Sequence, residues 1–147
     1  MMKIVLHIAL RLGFALCLFL SQFTSTRTTF LSENEYLLVA GFLLAFAGIV
    51  LFIMASAKLT GAMKERKLTV KGPYRFVRHP IYLSIYILSS GLGLIFFAWL
   101  WFVVLAAFLP LWLLECRNEE KELITSFGKE YEEYKEHTGM IIPRLFS

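Results

Sequence analysis

Between Ile81 and Leu114 the chain runs for 34 residues without a charged side chain. At about 1.5 Å per residue, that is far longer than the roughly 20 residues of one membrane crossing and slightly short for two ordinary ones. A tight helical hairpin fits best, its tip at Phe96, Phe97, Ala98, Trp99 and Trp101, where aromatic rings suit a membrane interface. Pro110 predicts a kink in the returning helix. Two apolar stretches precede the hairpin, Ile4 to Phe23 and Tyr36 to Ala57. The second is uncharged and sets Gly41, Ala45 and Gly48 on one face, a small-residue pattern that lets helix backbones approach closely. The expected fold is an all-α polytopic membrane helix bundle of about four transmembrane helices, the last two forming the hairpin.

Composition agrees: 58% of residues are hydrophobic and 18% charged, with a mean hydropathy of +0.66, whereas soluble domains carry about 25% charge. The chain length allows one domain, 1–147. The placement of the net charge of +4 then orients the bundle. Seven basic residues, Lys58, Lys64, Arg66, Lys67, Lys71, Arg75 and Arg78, face one acid, Glu65, between Lys58 and His79. The segment between the first two crossings carries only Arg27 with Glu33 and Glu35. By the positive-inside rule the first loop is cytoplasmic and the second external, so both termini are expected inside, in the cell inner membrane if the source is bacterial. Met1-Met2-Lys3 could open a signal peptide, but Arg11 interrupts the apolar run and no small-residue cleavage site follows, so a retained helix is expected.

Several functions are disfavoured. Basic residues cluster in a few places rather than covering a surface, which argues against a nucleic-acid partner. The absence of Asp removes the Asp-rich motifs that hold magnesium around diphosphates, and no metal site is expected. Cys17 and Cys116 fall at opposite ends of the crossings, so no disulfide is expected.

Polar chemistry concentrates in two places. The first is Gly72-Pro73-Tyr74-Arg75-Phe76-Val77-Arg78-His79-Pro80-Ile81-Tyr82, a turn that runs directly into a membrane helix. Pro80 suits the first helical turn, and the free amides of that turn would attract a carboxylate or phosphate. Arg75 and Arg78 could equally just anchor the helix at lipid headgroups. Tyr82, Tyr86, Ser89 and Gly93 share a helical face, for packing or for a ligand. The second cluster is Arg117-Asn118-Glu119-Glu120-Lys121-Glu122, just beyond the last apolar run. Alone it reads as solvated i,i+3 and i,i+4 pairs such as Arg117 with Glu120. His7 and Arg11 share a face of the first helix and are either functional or snorkelling. Beyond Leu114, Leu123, Ile124, Phe127, Tyr131 and Tyr134 keep a helical spacing into a cytoplasmic C-terminal helical segment, with a break at Gly128.

Taken together, Gly72-Pro73-Tyr74, Arg78-His79-Pro80, Tyr82, Arg117-x-Glu119-Glu120, Phe127-Gly128, Glu130-Tyr131, Tyr134 and Pro143 closely resemble the isoprenylcysteine carboxyl methyltransferase and phospholipid methyltransferase superfamily. The resemblance covers roughly Leu68 to Pro143 and implies a cofactor-binding region over 58–147, following two N-terminal helices over 1–57. It implies S-adenosylmethionine as cofactor and a lipid-like or other hydrophobic acceptor that enters from the bilayer. Cofactor contacts would come from Leu68, Tyr74, His79, Pro80, Ile81, Tyr82 and Glu119, with Leu68 at the adenosine end, while Arg117 or Glu120 would sit nearer the reacting group as catalytic residues. Two positions depart from the family pattern. Leu68-Thr69-Val70 stands where Leu-Val-Thr is common, and Glu115 stands where the eukaryotic prenylcysteine enzymes have a substrate-binding Arg, which argues against prenylcysteine as acceptor. Two other readings compete: a non-catalytic protein whose basic loop binds anionic lipid or a partner, and an NADPH-dependent membrane reductase.

Overall fold

The computed structural model describes residues 12–20 and 34–144. Among these the protein is all-helical and contains no strand. Helix α1 covers residues 12–20; α2 is Glu35–Glu65, α3 Pro80–Ile95, α4 Trp99–Phe127 and α5 Lys129–His137, with a 3-10 turn at Gly72–Arg75. Of the first expected crossing, Ile4 to Phe23, only 12–20 is described, and His7 and Arg11 lie outside the described residues.

Helices α2 and α4 are long and apolar enough to span a bilayer. The core helix of a water-soluble protein can pass the same test, but such a helix is mostly buried. Only 17% of the apolar window of α2 is buried by the rest of the protein, and Tyr36, Val39, Phe42, Leu43, Phe46 and Ile53 all point outward. Apolar surface of that extent is stable against lipid and not against water. The protein is therefore a membrane protein. Helix α3, with 16 residues, is about 24 Å long, shorter than the roughly 30 Å hydrocarbon layer.

The basic segment after Ala57 begins as helix: α2 continues through Lys58 and Lys64 to Glu65, beyond the uncharged stretch that ends at Ala57. Lysine and glutamate are good helix formers, and Lys64 in the last turn complements the negative end of the helix dipole. Termination comes at Arg66, in the left-handed region (φ 53°), where the Arg66 and Lys67 amides bond back to the Met63 and Ala62 carbonyls. Helix α4 runs through Pro110 and stops at Phe127, and Gly128 (φ 55°) lets the chain turn into α5.

The chain forms two compact units. One comprises Met1–Ala45 and Leu88–Glu115. Here α2 and α3 touch at backbone level: a Cβ placed on Gly91 would come within 2.5 Å of the Ala45 nitrogen and 2.6 Å of the Gly41 carbonyl oxygen. Phe14 packs on Phe108 and Trp112, with ring centroids 5.2 and 5.3 Å away. Helices α3 and α4 are joined through Phe96, Phe97 and Ala98, the last fully buried. The other unit comprises Phe46–Ile87 and Cys116–Ser147. It carries both polar clusters singled out in the sequence.

Candidate active site

Within this second unit the chain preceding α3 is fastened to the chain following α5. Val77 and Gly139 form an isolated parallel bridge, with the Arg78 amide donating to the Gly139 carbonyl (2.8 Å) and the His79 amide to the Met140 carbonyl (3.0 Å). Pro80 then opens α3, where its missing N–H leaves nothing unpaired, and the Leu83 amide closes the first turn on the His79 carbonyl (3.1 Å). His79 is thereby held at the mouth of the helix, buried with Pro80 and Tyr82.

Opposite stands the charged end of α4. Its apolar stretch stops at Leu114, so Cys116, Glu119, Glu120, Leu123 and Phe127 form a face beyond that stretch. Glu120 turns inward: Arg78 Nε donates to its Oε1 at 2.7 Å, Lys135 Nζ lies 3.2 Å from Oε2, and His79 Nε2 lies 3.4 Å from Oε1. The Arg78 guanidinium also donates to the carbonyls of Lys135 and Thr138, where α5 ends. It thus supplies the cation that a helix C-terminus favours. Glu119 faces the other side of the histidine, with His79 Nδ1 at 3.5 Å from its Oε2 and the Tyr82 hydroxyl donating to its Oε1 at 2.5 Å.

These contacts fix protonation. Burial would push the His79 imidazole down, but Cys116, Glu119 and Glu120 outweigh it and raise its pKa to about 11, so the ring is a cation at neutral pH. Burial would push Glu120 up, yet His79, Arg78 and Lys135 hold its carboxyl at about 2. Tyr74 is raised to about 12, first by burial and then by the charge of Glu119, and keeps its proton.

Beside the polar cluster lies an apolar cavity of about 160 Å³, walled by Leu68, Tyr74, Phe127, Tyr131 and Tyr134, with Arg78 between it and Glu120. Pockets that enclose a whole small molecule hold about 300–1,000 Å³, so this one takes a single flat ring and not a complete ligand. Its shape is pinned by the Tyr134 hydroxyl, which donates to the Tyr74 carbonyl at 2.5 Å. At the cavity the buried Tyr131 hydroxyl has no hydrogen-bond partner among the described residues, while His79 Nε2 has only its 3.4 Å approach to Glu120. A larger, open groove of about 750 Å³ runs along Lys135, Glu136, Thr138 and Met140. It touches the cluster through Arg78 and Lys135 and contains none of His79, Tyr82, Glu119 or Glu120.

A model of the phospholipid methyltransferase family matches residues 8–130. The chain belongs to this family. No curated protein and no solved structure matches it. Membership places the chain among membrane methyltransferases, in keeping with the wider superfamily that its motifs resemble. The matched residues include both clusters and end one position before Tyr131.

Of the residues singled out from the sequence, the structure brings His79, Tyr82, Glu119 and Glu120 into one polar cluster and sets Leu68 and Tyr74 at the cavity. Pro80 is buried, and Ile81 is half-buried with its carbonyl accepting from the Ser84 hydroxyl (2.6 Å). Arg117 stands apart, on the exposed side of α4 and without a polar partner among the described residues. Its expected pairing with Glu120 is not formed, because Glu120 is committed to Arg78, Lys135 and His79.

Sequence reasoning left Arg78 open between a headgroup anchor and a member of the polar cluster, and it gave Lys135 no role. Their partners lie tens of residues away in the chain, out of reach of any local pattern. One signal was available: two successive cations, Arg78 and potentially His79, immediately before an apolar helix call for carboxylates, and Glu119-Glu120 is the one adjacent acidic pair just past an apolar run.

Proposed function

We propose that the protein is an S-adenosylmethionine-dependent methyltransferase that modifies a lipid-like acceptor at the membrane boundary. The observation that carries this reading is the junction of an aromatic, ring-sized cavity with a polar cluster of fixed protonation, in a chain of the phospholipid methyltransferase family. The residues suit that cofactor by the chemistry of their donor set. An adenine ring would enter between Leu68, Tyr74 and the tyrosines of α5, with the unpartnered Tyr131 hydroxyl left for a ring or ribose atom. Protonated His79 offers positive charge to a carboxylate, and Glu119 offers an acceptor to an ammonium, the two ends of an amino-acid moiety.

Such a cofactor supplies, when bound, a sulfonium methyl group that transfers by in-line displacement without a metal. What the chain contributes is alignment and exclusion of water. Arg78 and Glu120 hold the segment after α5 against the start of α3 and so fix His79 from both sides. Glu120 is a poor proton acceptor in this arrangement, and its part is positioning. A carboxylate acceptor needs no base, whereas an ammonium acceptor would lose its proton to Glu119 or to water. Arg117, exposed one turn from Glu120, is free to meet the acceptor. The proposed topology has four crossings with both termini cytoplasmic, supported by the charge asymmetry of the loops and the apolar lengths of α2 and of the α3–α4 hairpin.

Calorimetric titration of the detergent-solubilised protein with S-adenosylhomocysteine tests the reading. Saturable binding is expected for wild type, reduced at least tenfold in Tyr74→Ala and in Glu119→Ala, with NADPH giving none. Folded wild type that fails to bind would overturn the proposal.

A further inference from the structure

A second site lies where the apolar stretch of α2 ends, separate from the proposed cofactor site but sharing Leu68 with its cavity. Between the last turns of α2 and residues 67–71 runs a groove of about 350 Å³, within the size range of small-molecule sites. Small residues on one face of α2, Ala57, Gly61 and Ala62, open it. A Cβ placed on Gly61 meets nothing within 4 Å, so the space is real and not filled by a neighbouring side chain. Leu68 and Val70 continue this apolar floor on the opposite wall.

The rim is cationic. Lys58, Lys67 and Lys71 border the groove against one carboxylate, Glu65. Glu65 is already engaged, its Oε2 lying 3.0 Å from Lys67 Nζ. Lys58 and Lys71 have no acidic partner among the described residues. Nor is Lys58 simply splayed into solvent, because its aliphatic stem crosses the bare backbone of Gly72. A Cβ there would come within 3.3 Å of Lys58 Cγ, and Gly72 holds φ 66°, a conformation that disfavours any side chain. Glycine at this position both permits the turn and leaves the bed in which Lys58 lies.

We infer that this groove binds the phosphate of an anionic phospholipid, gripped by Lys58 and Lys71 with Lys67 beside them, while the glycerol and upper acyl region rests on the Ala57–Gly61–Ala62 floor. A free phosphate ester would use the same lysines, but it has no use for the apolar floor. The position favours a lipid: Lys58 is the first charge after the uncharged stretch of α2 that ends at Ala57, so the ammonium lies at headgroup depth. Bilayer phosphates reach it without leaving the membrane. Exposed lysines near a surface of anionic lipid each strengthen binding by about fivefold, and Lys58 and Lys71 border the same groove. The site depends on α2 and residues 67–72 alone and stands whether or not the chain transfers methyl groups.

Native mass spectrometry of the protein released from mixed micelles of phosphatidylglycerol and phosphatidylcholine tests it. Wild type should retain one phosphatidylglycerol in preference to phosphatidylcholine. Lys58→Gln/Lys71→Gln should lose that preference by an order of magnitude or more, and Lys58→Arg/Lys71→Arg should keep it. Lys121→Gln/Lys129→Gln, with the same charge removed from exposed positions on α4 and α5, should behave as wild type. Equal loss in both glutamine pairs would mean that general charge and not the groove holds the lipid, and would overturn the inference; so would retention in Lys58→Gln/Lys71→Gln. Addition of millimolar glycerol phosphate separates the two sources. Persistence of the bound lipid supports the phospholipid, and its displacement by the soluble ester overturns the lipid assignment.

Discussion

Replacing Glu120 with alanine removes the acceptor on which three cations converge. The Glu120 and Arg78 side chains are 3% and 7% exposed, so their 2.7 Å contact is a buried ion pair. Deleting one partner of such a pair strands the other charge, at a cost of about 3–5 kcal/mol. Two features of the site pull the value toward the lower end. Arg78 retains the carbonyls of Lys135 and Thr138 as acceptors. Lys135, 44% exposed, simply rehydrates, and its share is no more than about 1 kcal/mol. Loss of about 3 kcal/mol is therefore expected for Glu120→Ala. Glu120→Gln keeps an oxygen for Arg78 Nε and gives up only the charge, so about 1–2 kcal/mol is expected. The double variant Arg78→Met/Glu120→Met removes both charges together and should be more stable than the sum of its single variants by at least about 1 kcal/mol.

Unfolding in mixed micelles, followed by far-ultraviolet circular dichroism and extrapolated to zero denaturant, reads these differences directly. A loss below about 0.5 kcal/mol for Glu120→Ala, the size of an ordinary surface substitution, would refute the buried pair. Additive single and double variants would refute the coupling of Arg78 to Glu120, and with it the positioning role given to that pair.

Three further expectations follow from the same geometry. With Glu120 held at about 2 against 4.5, its stabilisation is complete above pH 4.5 and is lost as pH falls through 2; with His79 raised to about 11 from 6.5, its share is complete below pH 6.5 and is lost as pH rises toward 11. Thermal midpoints should accordingly be highest between those two ordinary values and fall on the alkaline side, and a His79→Gln variant that kept the alkaline decline unchanged would contradict this. Arg117→Ala should leave stability within about 0.5 kcal/mol of wild type, since the side chain is exposed, while turnover of a lipid acceptor falls; a fall in cofactor affinity instead would move Arg117 into the cofactor site. Gly91→Ala forces a methyl group against the α2 backbone and should cost about 1–3 kcal/mol, whereas Gly13→Ala, with open space around it, should cost nothing measurable in the same unfolding assay.

The helices were legible in the sequence because their cause is local. Uncharged length predicted α2 and the α3–α4 hairpin, and the breaks fell at aromatic and glycine positions that the pattern already marked, Phe96 to Ala98 and Gly128. The end of α2 was not legible. Loss of apolar residues at Lys58 ends the apolar stretch, but the helix itself continues to Glu65 because lysine and glutamate sustain it in water as well. The site was legible in part for a related reason. Tyr74, His79, Tyr82, Glu119 and Glu120 could be singled out as types concentrated near one boundary, yet which of them touch depends on a rotation of α4 that spacing alone leaves open. Arg117 and Glu120 are three residues apart and could have paired. The structure turns one inward and one outward.

That rotation also decides how the chemistry is divided. A general base works best with a pKa near the operating pH, and Glu120, enclosed by Arg78, Lys135 and His79, is held far below it. A residue in this state keeps its charge throughout a reaction and so serves as a fixed point. Glu119 differs by one position and by one decisive property: its side chain is 33% exposed, open on one side to solvent or ligand while Tyr82 and His79 orient the other. Of the two adjacent carboxylates, the buried one therefore holds the segment beyond α5 against the start of α3, and the half-open one is available to meet what binds. On this division, exchanging Glu119 for glutamine should impair ligand affinity with little loss of stability, and exchanging Glu120 for glutamine should do the reverse.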